Sequence, residues 1–165
     1  MKIVDIRYPK LSDAKAIVDI FNNPKFYFRR KVPKTIEQEK LRIQLQSTQR
    51  KKNTERNFTI LYRNKPVGII GIKIYQHRTY CGEIGYFLDP EFQRHGIVTK
   101  AVKLLEHHVV KKLWLRRIEI LMGAHNIASQ KVALHNNYKN EWLLKGVFLM
   151  PDAKMKDAYI FAKNF

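Results

Sequence analysis

Cysteine is nearly absent from this 165-residue chain, in which Cys81 is the only one. Cys81 therefore has no partner for an internal disulfide, and no CxxC or Cys/His spacing predicts a structural zinc site. Long apolar runs are missing too, since no stretch approaches the ~18 uncharged apolar residues of a membrane-spanning helix. The N-terminus, MKIVDIRYPKLSD, alternates and carries charge, unlike a signal peptide. These absences predict a soluble cytoplasmic protein with no metal site and no membrane contact.

Acidic residues are also scarce. Only 14 Asp and Glu stand against 32 Lys and Arg, which gives a formal net charge of +18 and a pI near 10.1. Such a charge favours anionic partners, namely nucleic acid, phosphorylated ligands or acidic proteins, and it disfavours polycationic substrates. A basic surface without any functional role explains the same numbers, so the charge alone assigns no partner.

Glycine and proline are few, at seven and six, and neither a repeat nor a low-complexity linker divides the chain. Hydrophobic residues make up 45% of the chain, which at this length suffices for a core of its own. We therefore expect residues 1–165 to form a single domain.

Hydrophobic periodicity and turn residues predict an α+β fold in which helices cover the faces of a mixed, mostly antiparallel sheet. The predicted strands cover residues 3–8, 57–63, 67–75, 81–88, 117–122, 141–150 and 156–163. The predicted helices cover residues 14–21, 35–49, 96–111 and 126–137. Ser12-Asp13 is expected to cap the first helix. The second helix is expected to be mostly exposed, because its apolar positions Ile36, Leu41 and Leu45 are sparse.

The most informative stretch is EIGYFLDPEFQRHGIVTKAV, residues 83–102. A strand ends there, a short loop carries Gln-x-x-Gly, and an amphipathic helix begins at once. The unpaired N–H groups and positive dipole at a helix N-terminus suit a diphosphate, and Gly96 would let the backbone approach it closely. Arg94 and His95 could add charge or hydrogen bonds at the rim. Alternatively, Gly96 simply starts a helix.

A second stretch, Asn126-Ile127-Ala128-Ser129, precedes the last predicted helix. Together the two stretches resemble the GNAT family of N-acetyltransferases, and most of all its Rim-type branch of ribosomal-protein N-terminal acetyltransferases. The resemblance covers roughly residues 80–163 and includes RRIEI and the closing hairpin LLKGVF…KDAYIFAK. It implies a GNAT sheet of about seven strands with about four helices, and acetyl transfer from acetyl-CoA to an amine.

The same resemblance assigns a set of residues to acetyl-CoA. They are Phe87, Leu88, Gln93, Arg94, His95, Gly96, Ile97, Val98, Thr99, Asn126 and Ser129. By analogy the strands around residues 81–88 and 117–122 splay apart, so that the pantetheine arm pairs with Phe87 and Leu88 and the Leu88 N–H meets the oxyanion. Asn126 is expected to touch the cofactor arm, to cap the helix, or both.

The chain departs from the family pattern at three places. Val98 stands where Gly or Ala is usual, so its branched side chain must point away from the diphosphate. Asn137-Tyr138 replaces a common Gly-Phe, and Asn tolerates the left-handed conformation of that glycine. Ala133 occupies the position of a tyrosine that protonates the leaving thiolate in many relatives, so that acid is missing.

Two residues, Glu83 and Ser129, are the main catalytic candidates, and a third is weaker. Glu83 shares a strand face with Gly85 and Phe87, toward the expected acceptor amine, and is the first candidate for the base; alternatively, it only pairs with an Arg or Lys. Glu119 is a weaker candidate. Ser129 takes the position of a hydroxyl that meets the thiolate in Rim-type relatives, or it serves only the helix backbone.

The acceptor is open at this point. The leading hypothesis is a protein N-terminal amine, for example on an acidic ribosomal protein that the positive charge attracts. A small-molecule N-acetyltransferase acting on an amino sugar, amino acid or antibiotic is the runner-up, and a non-catalytic module that binds RNA or the ribosome is the alternative of another class. Residues 22–56, which would help wall the acceptor site, contain no readable motif, although they include Phe26, Tyr27, Phe28, Arg29 and Arg30. A monomer or a homodimer is expected.

Overall fold

The strands of the chain form one sheet. The computed structural model describes residues 3–26, 32–149 and 154–165, and within them seven strands lie in the order β1-β2-β3-β4-β5-β7-β6. The strands are Val4–Arg7 (β1), Glu55–Tyr62 (β2), Lys65–Ile74 (β3), Cys81–Leu88 (β4), Arg117–Gly123 (β5), Lys139–Leu149 (β6) and Met155–Asn164 (β7). The helices in this part of the chain are Ala14–Phe21 (α1), Ile36–Lys51 (α2), Ile97–Leu113 (α3) and Ile127–His135 (α4).

Neighbouring strands are antiparallel except at one place. β4 and β5 are parallel, because α3 carries the chain back along the sheet between them. The predicted α+β class, the strand and helix order and the mostly antiparallel sheet are confirmed. Tyr27, Phe28, Arg29 and Arg30, and the predicted strand end at Met150, lie outside the described residues.

Helices cover both faces of the sheet. α3 and α4 pack on one face over the larger core, in which Ile72, Ile84 and Ile118 are almost fully buried. α1 packs on the other face, where Ile17 and Phe21 meet Ile69 of β3. No helix within residues 3–26, 32–149 and 154–165 combines the length and the apolarity that crossing a membrane requires.

The start of α1 differs from the prediction. Residues Leu11–Asp13 form a 3₁₀ turn, and the Asp13 side chain makes no capping hydrogen bond to the helix that follows. Its buried carboxylate instead accepts hydrogen bonds from both terminal nitrogens of Arg7, at 2.6 and 2.8 Å, and from the Thr59 hydroxyl at 2.8 Å. Asp13 therefore ties β1 and β2 to the turn, a role that its local sequence does not show.

Helix α2 confirms the expected exposure only in part. Leu41 and Leu45 are exposed, as the sparse apolar pattern predicts. The buried side of the helix is largely polar, however, and contains Glu39 and Gln46. Glu39 is held there by Arg42, whose Nε and Nη2 donate to its two oxygens at 2.7 and 2.6 Å. Hydrophobic periodicity does not predict burial of this helix face, because the buried side chains are polar and one of them is held by an ion pair.

Candidate functional site

Strands β4 and β5 separate after three residue pairs. They are paired at Cys81 with Arg117, Gly82 with Ile118, and Glu83 with Glu119. Beyond this point β4 continues along β3, and β5 continues along β7. The gap between residues 84–88 of β4 and 120–123 of β5 is called the fork below. It is the splay that the family resemblance implies.

The hydrogen bonds at the two ends of β4 show which of its backbone groups face the fork. The Asp89 N–H donates to Val67 O at 2.8 Å, and Cys81 O accepts from the Tyr75 N–H at 3.0 Å. Odd-numbered residues of β4 therefore turn their backbone toward β3. Because backbone direction alternates along a strand, the N–H and C=O groups of the even-numbered residues 84, 86 and 88 point into the fork.

The backbone groups of Phe87 and Leu88 therefore point in opposite directions. Leu88 presents its backbone to the fork, as the predicted contact with the cofactor arm and oxyanion requires. Phe87 turns its backbone to β3, and its ring packs on Phe21 at 4.9 Å and on Phe26 at 5.6 Å between centroids. The Phe87 backbone therefore faces β3 and not the fork, and Tyr86 is the neighbour of Leu88 that faces the fork.

The loop before α3 presents backbone N–H groups beside the fork. Arg94 and Gly96 both have left-handed backbones, with φ of 65° and 69°. The Lys100 N–H donates to Gly96 O at 3.1 Å and opens the helical ladder. The N–H groups of Ile97, Val98 and Thr99 precede that ladder, so they are the donors that a helix N-terminus offers to an anion.

The side chains of this loop leave the N–H groups accessible. Gln93, Arg94 and His95 are exposed, and His95 Nδ1 lies 3.3 Å from Phe92 O. Ile97 is buried, and Val98 packs against the main core. The branched Val98 side chain thus points inward, and any anion held here would meet the backbone.

Helix α4 begins at the open end of the fork, four residues after β5 ends. Asn126 Oδ1 accepts a hydrogen bond from the Ser129 N–H at 3.1 Å, which caps the helix as one of the two predicted roles requires. Ser129 is buried at 9% exposure, and Ala133 one turn later is fully buried. Asn137 after the helix has a φ of 64°, so the left-handed turn expected there is present.

Tyr86 of β4 reaches toward α4. Burial raises the pKa of its hydroxyl to about 12, and the neighbouring Ser129 side chain opposes part of that rise. The phenol therefore stays protonated over the whole neutral range. Sequence reasoning passed over Tyr86, although its place between Gly85 and Phe87 on an alternating strand puts it on the helix side.

Two carboxylates meet at the closed end of the fork. Glu83 and Glu119 are paired across β4 and β5, and the Tyr75 hydroxyl lies 3.3 Å from Glu83 Oε2 and 3.0 Å from Glu119 Oε2. A phenol has one proton, so it donates to one of them at a time. Burial, followed by the charge of Glu83, raises the pKa of Tyr75. The sequence pattern missed Tyr75, which follows β3 rather than lying in a motif.

The two carboxylates differ in their ion pairs. Arg117 Nε donates to Glu119 Oε1 at 2.7 Å, and the same guanidinium also binds Glu141. Glu83 has no Lys or Arg partner in the part of the chain that the structure describes. Glu83 is therefore not part of an ion pair that only stabilises the fold, and one of its carboxylate oxygens can accept a proton. In that same part of the chain, no three His, Cys, Asp or Glu side chains gather as metal ligands.

A sheet that forks beside a helix N-terminus is the arrangement that the resemblance to acetyltransferases implies. The family model of the acetyltransferase (GNAT) domain matches residues 4–139. The chain therefore belongs to the GNAT acetyltransferase family.

Several known proteins resemble the chain. A ribosomal-protein-serine acetyltransferase of Escherichia coli (strain K12) is 32% identical over 106 residues, which are 64% of this chain and 59% of that protein. The chain thus matches about three fifths of this relative's length. A ribosomal L7/L12 alpha-N-protein acetyltransferase in complex with coenzyme A superposes with a TM-score of 0.88 at 20% identity, over 100% of this chain and 96% of that one. A microcin C7 self immunity acetyltransferase, in complex with acetyl-CoA and AMP, gives 0.86 at 22%, over 100% and 94%. At these identities the two structures show a shared fold.

Proposed function

We propose that residues 1–165 act as one acetyltransferase domain that moves an acetyl group from acetyl-CoA to a primary amine. The observation that carries this proposal is the set of N–H groups at residues 97–99, placed beside the fork. Family membership supports it. The N–H groups would hold the diphosphate, with Gln93, Arg94 and His95 at the rim, and the fork would hold the pantetheine arm alongside Asn126.

The fork residues supply the chemistry of the transfer. The amine nitrogen attacks the acetyl carbon, an N–C bond forms, and the C–S bond then breaks with its electron pair on sulfur. Glu83 takes the proton that the amine loses, directly or through water. Backbone N–H groups facing the fork stabilise the oxyanion. At about 3.4 Å per residue, Leu88 lies about 17 Å along the strand from Glu83, and Tyr86 lies about 10 Å from it. The Tyr86 N–H therefore suits the role of oxyanion donor better than the Leu88 N–H, because it lies closer to the proposed base.

The acceptor we propose is the N-terminal amine of an acidic protein. Two observations support this: the resemblance to a ribosomal-protein-serine acetyltransferase and the net charge of +18, which would attract an acidic chain. We also expect the protein to act in the cytoplasm, as a monomer or homodimer.

Acetyl-CoA binding tests the cofactor half of the proposal. We expect acetyl-CoA at about 100 times its Kd to stabilise the fold by about 2.7 kcal/mol, measured as a rise in Tm. An absent shift would overturn the enzyme. If a short RNA raised the Tm instead, with steep salt dependence, the non-catalytic alternative would replace it.

The acceptor half needs a product assay. Release of free thiol from acetyl-CoA would be followed with acidic peptides, neutral peptides, and small amines such as amino sugars and amino acids. Faster release with acidic N-terminal peptides, reduced by salt, supports the protein acceptor. Activity confined to the small amines would favour the runner-up.

Gly96→Ala tests the backbone cradle. We expect it to weaken acetyl-CoA binding about tenfold, since a methyl group would project from the backbone that meets the phosphates. It should also cost about 1–2 kcal/mol in unfolding free energy, because an L side chain is strained at φ +69°. Calorimetric titration and denaturant unfolding would measure the two effects.

Gly85→Ala is the matched control. A Cβ at either glycine meets no protein atom within 4 Å, but only Gly96 has a left-handed backbone. The Gly85 variant should bind acetyl-CoA normally and change stability by about 0.5 kcal/mol or less. Equal losses in both variants would remove the special role of Gly96.

A further inference from the structure

Gly85 on β4 differs from the six other glycines of the chain, all of which lie within the described residues. Each of those six has a structural reason to be glycine. At four of them a Cβ would come within 3.0 Å of another residue, and at two the backbone is left-handed. The four are Gly68, Gly71, Gly82 and Gly123, and the two are Gly96 and Gly146. Gly85 has no left-handed φ, and apart from its chain neighbours no atom of the described residues lies within 4 Å of the position that a Cβ would take.

A glycine inside a strand is costly, because it loses more backbone freedom on folding than other residues and has no side chain to pack. It often marks a bulge, or a place where a ligand or another backbone approaches closely. No bulge is present at Gly85, since β3 and β4 pair without a register shift along residues 68–74 of β3. No other backbone of the described residues approaches it closely either. The close approach of a ligand is the reason that remains.

The sheet face above Gly85 is open where its neighbours along the strand are covered. Gly85 is the only exposed residue of β4. Two positions along the strand and on the same face, the ring of Phe87 packs against Phe21 of α1 at 4.9 Å between centroids. Two positions the other way lies Glu83, with the Tyr75 hydroxyl 3.3 Å from its Oε2. Gly85 therefore forms the floor of an open space between Glu83 and Phe87.

The proposed reaction brings a substrate to this open space. The acceptor amine approaches Glu83, and the residue that carries the amine must lie next to it. Toward the closed end of the fork, Tyr75 and Glu119 occupy that position. Toward the open end lies Gly85, about 7 Å from Glu83 for two residues at about 3.4 Å each. The first residue of an acceptor peptide therefore fits over Gly85.

We propose that Gly85 is a specificity-determining residue, whose lack of a side chain leaves room for the first residue of the acceptor peptide beside Glu83. The inference rests on the proposed acetyl transfer. A methyl group at position 85 would project into this space from the face of the sheet. The fork lies in the plane of the sheet, at the edge of β4, so the same methyl group would not contact the pantetheine arm. Gly85 thus acts at the acceptor end of the site and has no part in holding the cofactor.

Gly85→Ala tests this inference by kinetics. We expect the KM for an acidic peptide that begins with serine, measured by thiol release, to rise about tenfold, because a methyl group added to a filled contact weakens it by a factor of this order. The rise should be larger for Gly85→Val and smaller for a peptide that begins with glycine. The Kd of acetyl-CoA, measured by calorimetric titration, should not change. Both variants should unfold at or above the wild-type Tm, since alanine and valine suit a strand better than glycine does.

Gly71→Ala is the matched control. Gly71 lies directly opposite Gly85 in the pairing of β3 with β4 and on the same face, but the Asn57 side chain covers it. A Cβ at Gly71 would displace Asn57, so this variant should lower the Tm and keep the wild-type KM for the peptide. The peptide KM should therefore rise in one alanine variant, and the stability should fall in the other.

Several results would count against Gly85 alone. An unchanged peptide KM in Gly85→Ala, an equal rise in both alanine variants, or weaker acetyl-CoA binding in Gly85→Ala would each overturn the inference and leave acetyl transfer standing. Transfer by the wild-type protein to small amines alone would also overturn it. A wild-type protein that binds acetyl-CoA but transfers nothing to any amine would overturn the inference and the proposed function together.

Discussion

Asp13→Ala is expected to lower the unfolding free energy by about 2–3 kcal/mol, the cost of losing buried hydrogen bonds to a charged group and leaving their donors without an acceptor. The Asp13 carboxylate is 2% exposed. It accepts two hydrogen bonds from Arg7, one from the Thr59 hydroxyl and one from the Lys10 N–H at 3.0 Å. Its removal leaves the Arg7 guanidinium without its carboxylate partner. It also breaks the hydrogen bonds that join β1 and β2 to the turn before α1. Denaturant unfolding measures the loss.

Asp19→Ala is the control for this prediction. Asp19 also pairs with a cation one helical turn away, Lys15, at 2.8 Å, but both side chains are exposed. An exposed pair of this kind contributes about 0.5 kcal/mol or less. Comparable losses in the two variants would show that burial of the Asp13 pair adds nothing.

The same carboxylate predicts a dependence of stability on pH. Burial, the largest influence, raises the pKa of Asp13, but the hydrogen bonds from Arg7, Lys10 and Thr59 together outweigh it and hold the pKa below its ordinary value. The stabilisation is therefore complete above about pH 3.9, the pKa of an unfolded Asp. It is lost as the pH falls through the lower folded pKa. Asp13→Ala should flatten this acid limb of the stability curve.

Glu83→Gln is expected to slow acetyl transfer by about 10²- to 10⁴-fold, a range typical of losing a general base. Gln keeps the size and the Tyr75 contact, but it has no basic oxygen for the amine proton. Acetyl-CoA affinity should not change, because the N–H groups of residues 97–99, which we propose hold the diphosphate, lie at the other end of the fork. Thiol release at saturating substrate, together with calorimetric titration, separates the two quantities.

Glu141→Gln serves as the matched control. Glu141 binds Arg117 at the surface, outside the fork, so its variant should turn over at the wild-type rate. A normal rate in Glu83→Gln would remove Glu83 as the base. Glu119→Gln would then be the next variant to measure, since Glu119 shares the Tyr75 hydroxyl.

Much of this fold was predictable from local pattern. The predicted bounds of α1 and β4 coincide with the observed Ala14–Phe21 and Cys81–Leu88, because alternation and helical spacing are properties of adjacent residues. The position of the loop before α3 could be predicted for the same reason: its glycine, strand end and helix start lie within a few positions. Even the inward direction of Val98 follows from its place in the first helical turn.

The acid end of the site was harder to predict, because it depends on distant segments. Glu83, Glu119 and Tyr75 meet only through the order of strands in the sheet, which no local pattern contains. The backbone direction at Phe87 is another example. It follows from the hydrogen bond between Asp89 and Val67, which joins the end of β4 to β3. Asp13, which was expected to cap a helix, likewise accepts a hydrogen bond from Thr59, 46 positions away.

The three residue pairs between β4 and β5 have a mechanical consequence. Within the described residues they are the only strand pairing between two half-sheets, one made of β1 to β4 and the other of β5, β7 and β6. A pantetheine arm whose amides pair with the open edge of the fork would lengthen that pairing with hydrogen bonds the polypeptide does not provide. The substrate would then serve as an extra rung of the ladder, and the half-sheets would separate less readily while it is bound.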